Sequence, residues 1–324
     1  MDIPNERSSH TRPMPRGGGL SILIITLVGL LTYGLLFFVE YWLLLLCYSF
    51  GAGLIATVSW FDDLHTLPKR VRFSVHSLAA ILAIIGFGYW DKLTVPFLDR
   101  VNLGWFGLLV TFLWIVGLTN AYNFMDGIDG IAGGQAVVAG VGWTILGVMM
   151  DLPLISAMGS LLAATSLGFL FHNWPPAKIF MGDVGSAFLG YSFACLGVLG
   201  WKKDPVLALA GFLLVWPFVF DTIFTFFRRL EHRENVFSAH RSHLYQRLVI
   251  SGYSHRTVTL LYVGLDLLGL LFVLLILLRN TWANLVVIIA LFLSCFGLWG
   301  FTVIRGQTVP QAENSNGALE EKLI

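Results

Sequence analysis

The chain has 324 residues, 56% of them hydrophobic, with a net charge of +1 and a mean hydropathy of +0.78. Only 12% are charged, against about 25% in a soluble globular domain, which excludes an ordinary water-soluble fold. The net charge alone says nothing about nucleic acid, but no basic domain is present to bind it, so no nucleic-acid partner is expected.

The apolar residues come in long blocks, without alternation or amphipathic stripes. About 20 such residues span a bilayer core as a helix, and helices satisfy their own backbone groups there. The expected fold is therefore all-α, a polytopic membrane helix bundle. Ten blocks follow in chain order, at 18–39, 41–61, 73–90, 104–119, 131–150, 154–171, 184–201, 205–227, 257–278 and 282–304. Only Glu40 and its neighbours separate the first two. One integral membrane domain over 1–304 and a polar, disordered tail over 305–324 are expected, with no internal repeat. Cys47, Cys195 and Cys295 lie in apolar blocks without ligand spacing and read as small core residues. The polar stretch before Gly19 is not a cleavable signal peptide.

Lys and Arg set the orientation. With a cytoplasmic N-terminus, fifteen of the 20 basic residues fall in cytoplasmic segments. Lys92, Arg100, Lys202, Lys203 and Arg279 fall outside, and the Lys202–Lys203 pair is the local dissent. The dense polar sequences then all lie in cytoplasmic loops. A transporter places ionisable groups along a path through the membrane. Here they gather at one face, which suits an enzyme joining a soluble substrate to a lipid.

Four loops carry chemistry. Asp62-Asp63, followed by Lys69, Arg70 and Arg72, can hold a metal, act as a base or grip phosphate. The pair also reads as a charged helix end. The 120–130 run holds Asn120, Asn123, Asp126 and Asp129 at every third position. That spacing keeps neighbours on one helix face but rotates over nine residues, so Gly127 and Gly130 mark a backbone break. The plainer alternative is a glycine-rich turn. Lys178 precedes Phe180-Met-Gly182-Asp183-Val-Gly185-Ser186. Its glycines and the N–H groups opening the next helix suit a diphosphate, and Asp183 offers a hard ligand for Mg²⁺; a tight turn capped by Asp183 is the rival. The 228–256 loop holds His240, Arg241 and His243, with the histidines one helical turn apart. Zinc would need further ligands, so phosphate contact is expected, with an anionic-lipid-binding helix as the rival. Asp221, inside the eighth block, is either functional or a partner for Arg228 or Arg229. Together these groups suit Mg²⁺-assisted phosphoryl transfer.

In order, these four motifs and the N-terminal run Ile3-Pro-Asn-Glu-Arg-Ser-Ser-His10 with Arg12-Pro-Met-Pro-Arg-Gly-Gly-Gly19 resemble the signatures of the polyprenyl-phosphate N-acetylhexosamine-1-phosphate transferases, glycosyltransferase family 4. The resemblance runs to about Arg256. It implies that undecaprenyl phosphate attacks the β-phosphorus of a UDP-N-acetylhexosamine and releases UMP. Mg²⁺ is implied as cofactor, with Mn²⁺ able to substitute. Asp183 and Asn123 are the implied metal ligands. Asp62, Asp63, Asp126, Asp129 and Arg72 are the implied catalytic groups, with Asp62 and Asp63 near the lipid phosphate. Asn120, Asn123, Lys178, His240, Arg241 and His243 are the implied substrate contacts. A lipid phosphate is already largely ionised at neutral pH, so a true general base is not required.

The His-Arg-Ser-His sequence differs from the three histidines of the peptidoglycan-precursor branch. It resembles the O-antigen-initiating, WbpL-type branch, which implies N-acetylfucosamine, N-acetylquinovosamine or N-acetylglucosamine as the sugar. The implied setting is the bacterial inner membrane, with the site on the cytoplasmic face, membrane lipid as surroundings and a homodimer left open. Family members carry eleven helices, one before the Pro-Asn-Glu-Arg segment. Met1 stands where that helix ends, so a misassigned start is expected. The rivals are a lipid-linked sugar flippase and a CDP-alcohol phosphotransferase; the latter needs an Arg after Ala132, which is absent.

Overall fold

The computed structural model describes residues 13–37, 39–65, 67–95, 99–236 and 240–307. The N-terminal motif through Arg12, Ser238 and Ala239 of the fourth motif, and the tail from 308 lie outside the described residues. The chain runs α1 (Gly18–Phe37), a 3₁₀ turn (Val39–Tyr41), α2 (Trp42–His65), α3 (Lys69–Phe87), β1 (Lys92–Val95), β2 (Asp99–Asn102), α4 (Phe106–Met125), α5 (Ile131–Met149) and α6 (Pro153–Asn173). It continues with α7 (Gly182–Trp201), α8 (Val206–Leu213), α9 (Trp216–Glu231), α10 (Leu244–Ile250), α11 (His255–Leu277) and α12 (Thr281–Gln307).

Among the described residues nine helices are long and apolar enough to cross a membrane, and the pair α8–α9 makes a tenth if taken as one span. Nine of the ten apolar blocks thus correspond to single spanning-length helices, and the eighth to the bent pair α8–α9. The protein is a multi-pass membrane bundle. Three findings go beyond the blocks. The loop after α3 forms a small antiparallel hairpin, with Lys92 opposite Asn102 and Val95 opposite Asp99. α12 continues to Gln307, so helix persists past the expected start of the tail at Arg305. The eighth block is bent by 74° between α8 and α9, because Pro217 lacks the N–H that would continue the ladder.

A break inside a membrane frees backbone groups that lipid cannot satisfy. Gln135 of α5 meets this need. Its amide donates to the Leu214 carbonyl at 2.8 Å and its own oxygen accepts from the Tyr122 hydroxyl. All three partners are buried.

α7 is the central helix. It packs against α1, α2, α3, α4, α5, α6 and α8, and nearly all its residues are buried. Small residues permit that density. A Cβ on Gly19 would sit 2.3 Å from the Gly185 Cα, so the backbones of α1 and α7 touch where they leave the polar loops. A Cβ on Gly190 would meet the Leu118 carbonyl of α4 at 2.6 Å. Tyr48 of α2 reaches α7 with a 2.7 Å hydrogen bond to Ser192. Helices that pack in strict alternation bring every second loop to the same end, and those loops are the polar ones.

At the other end lie the hairpin and Lys202–Lys203. Arg279 is paired there with Asp204, and the Trp201 ring N–H donates to the Lys92 carbonyl. Gln135→Leu should leave the Leu214 carbonyl unpaired and destabilise the bundle by about 1–2 kcal/mol. Thermal unfolding in detergent will show this as a lowered midpoint against the parent chain.

Candidate active site

The site begins with a backbone contact between the two ends of the polar face. The Phe180 N–H donates to the Pro15 carbonyl at 2.9 Å. The Gly18 and Gly19 N–H groups donate to Phe180 and Met181 at 3.0 and 2.9 Å. Arg16 and Phe180 form a parallel bridge. Gly182 follows with φ of +75°, a left-handed turn that opens α7 and aims Asp183 into the face.

This pairing delivers Arg16 to Asp63 at 3.1 Å. The other oxygen of Asp63 accepts the Asp183 N–H at 3.2 Å. Asp62 takes Arg72 at 2.6 Å and the Leu67 N–H, and Arg72 also lies 3.9 Å from Asp183. The paired carboxylates therefore face different partners. Asp62 is 7% exposed and Asp63 13%, whereas Asp183 is 29% exposed, so Asp183 is the carboxylate of the three most open to a ligand. Asp183 does not cap α7, and Ser186 donates to the Gly182 carbonyl. The first N–H groups and the hydroxyl expected to bind phosphate are thus partly engaged within the protein.

The 120–130 run breaks as its glycines require. α4 ends at Met125, Gly130 is left-handed with φ of +80°, and α5 starts at Ile131. Asp126 faces Asp183, Asp63, Asp129 and Arg16. Burial, and then the negative charge of Asp183, push its carboxyl up to about 7 against the relief from Arg16. Asp129 ties loops together. It accepts the Ala177 N–H at 3.0 Å and pairs with His255 at 3.3 Å, while its carbonyl takes the Thr259 hydroxyl at 2.7 Å. Asn173 bridges the Gly130 N–H and the Ile179 carbonyl. Asn120 donates to Val116, one turn back in its own helix. Asn123 is half-buried one turn before Asp126. Lys178 points elsewhere, into a cavity between α1 and α6.

The fourth motif docks on the second. Tyr245 donates to the Phe124 carbonyl at 3.0 Å, and a Cβ on Gly127 would strike its hydroxyl at 2.0 Å. His240 and His243 are not on a helix. They sit in the segment before α10, with ring centroids 5.1 Å apart, and His243 is the residue that caps α10. His243 is buried and its Nδ1 lies 3.1 Å from Asp221. Burial, and then the electrostatic influence of His243, Arg229 and Arg228, pushes the His240 imidazole down to about 4, which leaves it neutral at pH 7. Its Nδ1 meets the Ser242 hydroxyl at 2.9 Å. Arg241 is half-buried beside them, close to Tyr245.

Asp221 does not pair with Arg228 or Arg229. It accepts from the Leu244 N–H, the Tyr245 N–H, the Tyr262 hydroxyl and Thr225, besides meeting His243. Arg228 and Arg229 instead hold Ser242, at its carbonyl and its hydroxyl. α9 thus grips the histidine segment from both sides.

Sequence reasoning left out Arg16, His255 and Asn173 as site residues. Arg16 carried a signal, since it precedes three glycines in a recognised segment. His255 and Asn173 lie within the polar 228–256 and 172–186 stretches, but their pairing with Asp129 and Gly130 is set by folding between loops far apart in the chain.

A helical membrane bundle that gathers acidic, basic and glycine-rich loops at one face belongs to the class of membrane-embedded transferases that handle phosphate. The comparisons with known proteins narrow that class. The profile of glycosyl transferase family 4 matches residues 42–200. The chain is 36% identical to a probable undecaprenyl-phosphate N-acetylglucosaminyl 1-phosphate transferase of Bacillus subtilis, over 81% of this chain and 74% of the relative. It is 30% identical to a decaprenyl-phosphate N-acetylglucosaminephosphotransferase of Mycobacterium leprae, over 82% and 75%. It is 32% identical to a phospho-N-acetylmuramoyl-pentapeptide-transferase of Desulfotalea psychrophila, over 62% and 63%. The chain belongs to glycosyl transferase family 4, the polyprenyl-phosphate hexosamine-1-phosphate transferases.

Asp221→Ala should strip four buried donors, the Leu244 and Tyr245 N–H groups and the Tyr262 and Thr225 hydroxyls, of their acceptor, at about 1–3 kcal/mol each. Tryptic cleavage at Arg241 and Arg247 is expected to accelerate while the spanning helices stay protected.

Proposed function

We propose that this enzyme transfers an N-acetylhexosamine-1-phosphate from a UDP-sugar to undecaprenyl phosphate at the cytoplasmic face of a bacterial inner membrane, releasing UMP. The observation that carries this is the convergence of Asp62, Asp63, Asp126, Asp129 and Asp183 with Arg16 and Arg72 on one face. The basic-residue bias toward that face supports its cytoplasmic placement. The relatives' names favour N-acetylglucosamine as the first sugar to test. The His240-Arg-Ser-His243 motif keeps the O-antigen-type sugars as the second, with the product starting a lipid-linked surface polysaccharide.

The donor set fits Mg²⁺. Among the described residues no group of three or more acidic, His or Cys side chains forms a cage. Mg²⁺ is commonly held by one or two carboxylates, with substrate phosphates and water completing the shell. Asp183, the open carboxylate, would be the protein ligand, with Asn123 close to the same face. Bound there, the ion would neutralise charge on the diphosphate.

The chain's own residues do the rest. Arg16 and Arg72 hold Asp63 and Asp62 in place and offset the repulsion among five carboxylates. Either arginine can turn toward an incoming phosphate, since both are partly exposed. His240, held neutral, can donate or accept a hydrogen bond above the face without adding charge. The lipid phosphate attacks already ionised, so positioning and charge neutralisation dominate.

Asp183→Asn should lower UMP release from UDP-N-acetylglucosamine and undecaprenyl phosphate by at least about 10²-fold with an unchanged unfolding midpoint. Near-parental turnover at saturating Mg²⁺ would remove Asp183 from the metal role. The absence of UMP with every UDP-N-acetylhexosamine tried would reject the reaction itself.

A further inference from the structure

Lys178 and His172 form a second feature of the polar face, separate from the carboxylates. α1 and α6 leave between them a cavity of about 320 Å³, lined by Gly18, Ser21, Gly168, Phe169, His172 and Lys178 among others, none of them acidic. The Lys178 N–H donates to the His172 carbonyl at 2.7 Å, which brings the two basic residues to the same place. Both side chains are exposed. Among the described residues neither has a hydrogen-bond or ion-pair partner. Arg16, Arg72 and Arg279, in contrast, each hold a carboxylate.

The surroundings are apolar. Ile24, Ile25 and Val28 of α1 are exposed, and so are Leu167 and Phe171 of α6. The cavity therefore continues into a lipid-facing surface. The space beside Gly168 is open, since a Cβ there would meet nothing within 4 Å, and only a large side chain at this position would fill it. An unpaired lysine beside a histidine, above an apolar hollow at the ends of two spanning helices, matches a phosphate headgroup with its chain in the bilayer.

We propose that this cavity binds an anionic phospholipid, with its phosphate on Lys178 and His172 and an acyl chain along α1 and α6. None of the clustered aspartates lines the cavity, so a resident lipid does not compete for the reacting groups. The occupied cavity would brace the 178–181 segment, which pairs with Gly18 and Gly19 and leads directly into Asp183.

The test is lipid retention by the intact detergent-solubilised chain, read by native mass spectrometry with phosphatidylglycerol or phosphatidylcholine added. Because it reads binding and not turnover, it stands apart from the proposed reaction. Phosphatidylglycerol should be retained in preference to phosphatidylcholine. Lys178→Ala should weaken that retention about fivefold, the worth of one cation at an anionic lipid surface. Gly168→Leu fills the hollow and favours the helix, and should abolish the preference while leaving the unfolding midpoint in detergent no lower. Equal retention of both lipids, or parental retention in both variants, overturns the proposal. Displacement of phosphatidylglycerol by equimolar undecaprenyl phosphate also overturns it, by assigning the cavity to the acceptor.

Discussion

The short parallel pairing between residues 15–19 and 180–181 is the contact on which the polar face depends. It joins the start of α1 to the start of α7, the helix that touches most of the bundle. Gly19 and Gly185 make it possible, since any side chain on either would push the two backbones apart. Once formed, it sets Arg16 against Asp63 and turns Asp183 toward the same point. The Asp126 carboxyl is raised there by burial first and by the negative charge of Asp183 second, so the clustered carboxylates repel one another. Two arginines and, in the proposed reaction, a divalent ion with its diphosphate offset that repulsion.

A second constraint comes from the bilayer. The 74° bend between α8 and α9 exposes backbone to a medium without water. Gln135, itself held by the Tyr122 hydroxyl, satisfies the Leu214 carbonyl at the break within the bundle. The bend lets α9 leave at an angle that carries Asp221 beneath the histidine segment. An intramembrane carboxylate is costly unless fully hydrogen-bonded. Asp221 meets that condition with donors from α9, α10, α11 and His243. Its cost is recovered as a fixed position for His240 and Arg241.

Much of the site was legible in the sequence because its residues cluster locally. Asp62-Asp63, the 120–130 run and the segment ending at Ser186 each read as polar groups at the end of an apolar block, and the alternation of blocks placed them together. The glycine break after Met125 followed from the third-position spacing. Asp221 is visible as a polar residue in an apolar block, either functional or a partner for Arg228 or Arg229, but its actual donors, the Leu244 and Tyr245 N–H groups, come close only through folding. The helical spacing assumed for His240 and His243 failed for the same reason: His243 caps a helix instead of lying within one.

The sequence by itself determined a multi-pass helical bundle, its polar face and the residue types that meet there. It could do so because hydropathy, charge bias and turn chemistry act over a few residues at a time. Only the tertiary structure decided which carboxylate each arginine holds, that Lys178 opens into a different cavity, and that Asp221 organises the histidine segment. Those outcomes depend on how closely helix backbones approach, and that distance is set by glycine contacts between residues far apart in the chain.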